Sequence, residues 1–92
     1  MNEKTIERTL REKVKAAGGV ALKFFSPSFT GLPDRLVLMP GGRVWFVELK
    51  APGKKPKPRQ VIVHTMLRKL GFNVEVIDTT AGVNEFVNRI AA

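Results

Sequence analysis

Hydrophobic patterning predicts an α/β protein in which a mixed β-sheet is flanked by helices, in the order α-β-β-β-α-β-α. Three observations carry this expectation. Three stretches repeat apolar residues at helical spacing, four short runs are apolar or alternate as strands do, and Pro40-Gly41-Gly42 joins two of those runs as a hairpin loop would.

The first helix is expected from about Asn2 to Ala17, where Ile6, Leu10, Val14 and Ala17 recur on one face and Gly18-Gly19 provides the stop. At about 100° per residue, Glu3 and Glu7 project close to the apolar stripe, whereas Arg8, Arg11 and Lys15 lie on the solvent side. Glu3 suits the helix N-terminus. Glu7 sits at the edge of the buried face, where its ordinary role is to support Arg11 at i,i+4. Val20 to Phe25 alternates as a strand with Lys23 as its odd member, ordinarily a side chain snorkelling to solvent. Ser26 to Gly31 forms a loop, either a plain connector or a set of hydroxyls and amides for phosphate oxygens.

Arg35 to Met39 and Arg43 to Val47 then form the hairpin. After it, Ala51 to Arg59 carries four basic residues, three prolines and no acid, a stiff cationic loop. Pro58 suits the first turn of a second helix that carries Val63, Met66, Leu67 and Leu70 inward and ends before Gly71. Gln60 lies in its first turn. His64, a lone histidine, is read as structural or as a nucleic-acid contact rather than a ligand. Phe72 to Ile77 alternates as the last strand, Asp78 or Thr80 caps a third helix, and Val83, Phe86, Val87 and Ile90 face inward on it. Trp45 and the six phenylalanines are read as core, with Trp45 and Phe29 as candidates for contact with a partner subunit.

The chain of 92 residues is expected to form one domain, residues 1–92, with a core modest enough for a second copy to help bury apolar surface. Its net charge of +8 favours a polyanionic partner, nucleic acid before an anionic membrane surface. The absence of cysteine excludes disulfides and cysteine-ligated zinc or iron–sulfur sites, and suits a reducing cytoplasm. One histidine and no tyrosine exclude His-rich metal sites and tyrosine nucleophiles within the chain. No signal-peptide pattern and no apolar run of transmembrane length are present, so no membrane association is expected.

The hairpin brings the chemistry together. With Gly41 at its apex, Leu36 faces Phe46 and Asp34 faces Glu48, which sets two carboxylates side by side. Like charges at opposed positions, with Cβ atoms roughly 4.5 to 5.5 Å apart, are destabilising unless something positive lies between them. A divalent cation does that. Lys50 projects from the same face as Glu48, because side chains alternate along a strand. Hard cations such as Mg²⁺ take one or two carboxylates and leave other positions to water and phosphate, so the arrangement suits metal-assisted hydrolysis of a phosphodiester. The plain alternative is an ordinary Glu48–Lys50 ion pair and an aspartate that merely succeeds a turn proline.

Pro33-Asp34 followed by Glu48-Leu49-Lys50 resembles the PD-(D/E)xK nuclease superfamily and its restriction-endonuclease-like core. Gly31-Leu32-Pro33-Asp34-Arg35, Phe46 to Gly53 and Pro58-Arg59-Gln60 are similar, more specifically, to the virus-type replication-repair nuclease (VRR-NUC) domain, over nearly the whole chain. The resemblance implies that Asp34, Glu48 and the carbonyl of Leu49 bind metal and that Lys50 is catalytic. It also implies Glu7 as a further acidic ligand, Gln60 at the rim of the site and Lys23 near the scissile phosphate. Arg35 and the loop residues Lys54, Lys55, Lys57 and Arg59 complete the expected DNA contacts. The expected activity is a Mg²⁺- or Mn²⁺-dependent, structure-specific DNA endonuclease of phage-type replication and repair. The expected protein is a cytoplasmic, bacterial or phage-encoded homodimer acting on branched DNA such as Holliday junctions. A flap nuclease, a nonspecific nickase and a non-catalytic basic DNA-binding protein are the alternatives.

Overall fold

The computed structural model describes residues 2–92. Helix α1 spans Glu3–Ala16, strand β1 Val20–Lys23, β2 Arg35–Met39, β3 Arg43–Leu49, helix α2 Pro58–Lys69, strand β4 Asn73–Ile77 and helix α3 Thr80–Ala91. The sheet order is β1-β2-β3-β4. The first two pairings are antiparallel and the third is parallel, so the predicted mixed sheet and element order are those observed.

The hairpin register is the one its loop dictates. Leu36 pairs with Phe46 and Met39 with Arg43, leaving Pro40, Gly41 and Gly42 as a three-residue loop. Both glycines have positive φ (84° and 74°), a conformation that costs an L-residue about 1–2 kcal/mol.

Alternation along the strands divides the sheet into two faces. Val37, Met39, Val47, Leu49 and Ile77 pack with Ile6, Leu10 and Val14 of α1 and Val83, Phe86, Val87 and Ile90 of α3. The other face carries Phe46 and Val74, over which Val63 and Leu67 of α2 close a smaller cluster with Leu32. Helix α1 starts at an Asn2 cap whose side chain accepts the Thr5 N–H at 3.0 Å.

Several expectations are corrected. Strand β1 ends at Lys23: the Phe24 N–H still donates to the Asp34 carbonyl at 2.9 Å, but the chain then turns outward and leaves Phe25 83% exposed. Phe72 precedes β4 and is also exposed. In α2 the buried stripe is Val63, His64 and Leu67, while Met66 and Leu70 face solvent. The helix is rotated so that His64, one turn after Gln60, lies inward. Helix α3 is capped by Thr79, whose hydroxyl accepts the Gly82 N–H at 2.9 Å, because Asp78 is engaged elsewhere. Of the six phenylalanines only Phe86 is fully buried. Trp45 packs against the larger core, edge-on to Phe86 at 6.3 Å between ring centroids, with the Arg43 guanidinium 5.6 Å from its ring centroid.

Candidate active site

Asp34 ends the loop before β2, and Glu48 and Leu49 close β3, so the hairpin brings them to one end of the sheet. The Asp34 carboxylate accepts the Leu49 N–H at 3.0 Å. Glu48 is 3% exposed. Its Oε2 accepts from Lys50 Nζ at 3.2 Å and from Gln60 Nε2 at 3.2 Å. Its Oε1 is buried and has no hydrogen-bond partner among the described residues.

Gln60 is held at both ends of its amide. Its carbonyl oxygen accepts the Lys57 N–H at 2.9 Å, a capping contact that fixes α2 at its first turn and leaves the amide NH₂ aimed at Glu48. Burial above all, and then the Asp34 charge, push the Glu48 carboxyl above its ordinary range, while Lys50 opposes the shift. Burial and the neighbouring acid therefore penalise the charged form of Glu48, and Lys50 only partly offsets that penalty.

The basic loop is anchored beside this cluster. The Lys54 N–H donates to the Ala51 carbonyl at 3.0 Å, closing a Pro-Gly turn, and the Gly53 N–H donates to Asp78 Oδ2 at 3.1 Å. Lys54, Lys55, Lys57 and Arg59 are exposed. Asp78 therefore serves as a tether for the loop, a role that sequence could not supply because the two residues meet only through the parallel β3–β4 pairing.

Glu7, Lys23 and Arg35 line a different cavity, although Arg35 directly follows Asp34 and its Nη1 donates to the Asp34 carbonyl at 3.4 Å. Glu7 makes an ion pair with Arg11 at 2.9 Å. Together with Lys23, Arg35, Lys4 and Arg8 it lines a cavity of about 680 Å³ between α1 and β1. Arg35 is only 8% exposed, and its Nε has no partner among the described residues. Among the described residues no cluster of three or more His, Cys, Asp or Glu could hold a metal ion, so Glu7 is not brought into one set with Asp34 and Glu48. His64 is buried, its Nε2 unpartnered among the described residues. Burial first, then the positive charges of Arg68 and Lys50, lower its pKa below the usual histidine value.

No family model matches the chain. The chain is 48% identical over 79 residues to "Putative nuclease p44" of Acyrthosiphon pisum secondary endosymbiont phage 1, covering 86% of this chain and 85% of that protein. A solved structure described as "VRR_NUC domain" superposes with a TM-score of 0.87 at 34% identity, covering 94% of each chain. The chain belongs to the VRR-NUC family. Its fold is that of a VRR-NUC domain, with Asp34, Glu48 and Lys50 at the end of the central hairpin. No helix among the described residues is long and apolar enough to cross a membrane.

Proposed function

We propose that this VRR-NUC domain is a metal-dependent deoxyribonuclease, a structure-specific endonuclease that hydrolyses phosphodiester bonds in branched DNA during phage-type replication and repair. The observation that carries the reading is that Asp34, Glu48 and Lys50 meet at one end of the hairpin, Lys50 on Glu48 Oε2, while the buried Glu48 Oε1 has no donor among the described residues. An unpaired buried polar atom is costly, and a cation beside it removes the cost.

The donor set fits such an ion. Asp34 and Glu48 carboxylates with the Leu49 carbonyl are all hard oxygen ligands, which suit Mg²⁺ and also Mn²⁺. When bound, the ion supplies an acidified water and offsets charge on the phosphoryl oxygens. The protein's own residues do the rest. Lys50 places its ammonium beside the carboxylates, where it holds the attacking water or neutralises charge developing on the phosphate. Gln60 fixes the orientation of Glu48. Lys54, Lys55, Lys57 and Arg59 grip the backbone on one side, and Lys23 and Arg35 take a phosphate on the other. Glu7, paired with Arg11, is left out of this ligand set.

Paired cuts in a junction need either two chains or a rebinding step, and a homodimer supplies two sites at once. The face of β1 and β2 left open by α2 supports one: Val20 and Leu22 are each 43% exposed, beside half-buried Leu36 and Leu38. A two-fold contact through this patch buries the same residues on both copies. It replaces Trp45, which faces the larger core, as the first candidate.

The Glu48–Lys50 ion pair also fits a non-catalytic DNA-binding protein, in which charge alone acts. Incubation with labelled four-way junction, flap, splayed-arm and linear DNA, each with Mg²⁺ and with EDTA, separates the readings. Junction cleavage abolished by EDTA is expected. Binding without cleavage favours the non-catalytic reading, and preferential flap or linear cleavage moves the substrate assignment.

A further inference from the structure

Beside Asp34 lies a second cavity, of about 300 Å³, formed by the loop between β1 and β2. We infer that it receives an unstacked nucleobase of the bound strand, so that the substrate carries an unpaired base next to the scissile phosphate; this rests on the nuclease reading of the adjoining site.

Three phenylalanines, Phe24, Phe25 and Phe29, line the cavity together with Pro27, Leu32 and Asp34. Phe24 is anchored, edge-on to Phe46 at 5.8 Å between centroids. Phe25 is left largely uncovered, 83% exposed, and Phe29 keeps 39% of its surface open. An exposed phenylalanine gains little from folding, so this pair is left free for a flat, apolar occupant. The Arg59 guanidinium stands 5.4 Å from the centroid of the Phe29 ring, steadying it and adding positive charge at the edge. Gly31 holds the loop in place. Its φ is +88°, and a Cβ there would lie 2.9 Å from Val63 Cγ2 and 3.0 Å from the Arg59 carbonyl, so only glycine lets the loop close onto α2.

Charge selects the occupant. The chain carries +8, and Lys54, Lys55 and Lys57 lie on the loop after Lys50 with Arg59 in the first turn of α2. A nucleobase brings a π face for the rings and a phosphate for the cations in one unit, the combination by which single strands are bound. A base in continuous duplex is stacked and paired, and extruding it costs a few kcal/mol. Bases at junction crossovers, flaps and single strands are already free of part of that cost. The cavity therefore favours those substrates over intact duplex.

The test is photocrosslinking without divalent cation, which makes it independent of cleavage. The probe is a single-stranded oligonucleotide with 5-iodouracil in place of thymine, irradiated with the full-length protein. Tryptic cleavage after Lys23 and Arg35 gives one peptide, Phe24 to Arg35, holding all three rings. The adduct is expected on that peptide. Phe25→Leu/Phe29→Leu, which stays apolar, is expected to weaken binding of unpaired DNA roughly ten- to hundred-fold and to leave duplex affinity and urea unfolding unchanged. An adduct confined to other peptides, or equal loss on duplex, overturns the proposal. So does a variant that becomes monomeric in sedimentation while binding unpaired DNA as the wild type does, since a second copy is then the occupant. Cleavage in Mg²⁺ is scored separately. The adduct without cleavage keeps the base pocket and removes the nuclease reading, whereas cleavage without the adduct does the reverse.

Discussion

The Asp34 carboxylate accepts the Leu49 N–H at 3.0 Å, which locks the start of β2 to the end of β3 at the point where the two acids meet. The contact separates two roles of one side chain, the charge and the acceptor oxygen. Asp34→Asn keeps an oxygen for Leu49 and loses the charge, so its urea midpoint is expected to match wild type while cleavage disappears. Asp34→Ala loses both, and should cost about 1–3 kcal/mol in addition to activity. Equal destabilisation by both variants would mean that the charge, not the acceptor, holds the hairpin end.

The pH dependence of Glu48 has a definite sign. Its folded carboxyl lies above the ordinary value of 4.5, through burial first and Asp34 second. The stability tied to its protonation is fully present below the unfolded value and is lost as pH rises through the folded one. Without divalent cation, Glu48→Gln should therefore gain stability relative to wild type as pH rises from about 4 to about 7. Mg²⁺ at about 100 times its dissociation constant should stabilise wild type by about 2.7 kcal/mol and the variant hardly at all. Urea titrations at the two pH values, with and without Mg²⁺, check both statements.

Lys50 pairs with Glu48 at 3.2 Å and, as an ammonium, brings no oxygen to the proposed metal site. Lys50→Ala is expected to retain Mn²⁺ binding and to lose about two to three orders of magnitude in cleavage. Calorimetric Mn²⁺ titration alongside single-turnover cleavage tells the roles apart. A large loss of Mn²⁺ affinity would make Lys50 a residue that shapes the site.

The basic loop is predicted to grip phosphates because it is both charged and tethered. Each contact removed among Lys54, Lys55, Lys57 and Arg59 should lower the slope of log K against log salt by about 0.9. Asp78→Ala frees the Gly53 N–H while adding no negative charge, so it should weaken cleavage more than the salt slope. An unchanged slope after neutralising all four cations would reduce the loop to a connector.

Legibility in the sequence depends on range. The hairpin register, and with it the nearness of Asp34 to Glu48, comes from a three-residue loop and strand alternation, both local. Helix α1 is readable because Ile6, Leu10 and Val14 mark one face without ambiguity. Helix α2 is not, since Val61, Ile62, Val63, Met66, Leu67 and Leu70 surround it and only tertiary packing decides which are buried. The same holds for Thr79 over Asp78 as the α3 cap: the Gly53 N–H claims Asp78 from across the fold. Glu7 illustrates the limit at the site. Helical spacing offers it Arg11 at i,i+4, the pairing observed at 2.9 Å, whereas a place with the carboxylates is implied by the resemblance alone.

The most direct measurement of the central claim compares wild type and Asp34→Asn on a labelled four-way junction with Mg²⁺, with binding measured on the same samples. Wild type should cut opposed strands, and the variant should bind the junction at least as tightly and leave it intact. Cleavage by Asp34→Asn at the wild-type rate would contradict the assignment of the carboxylate pair as the centre of the chemistry.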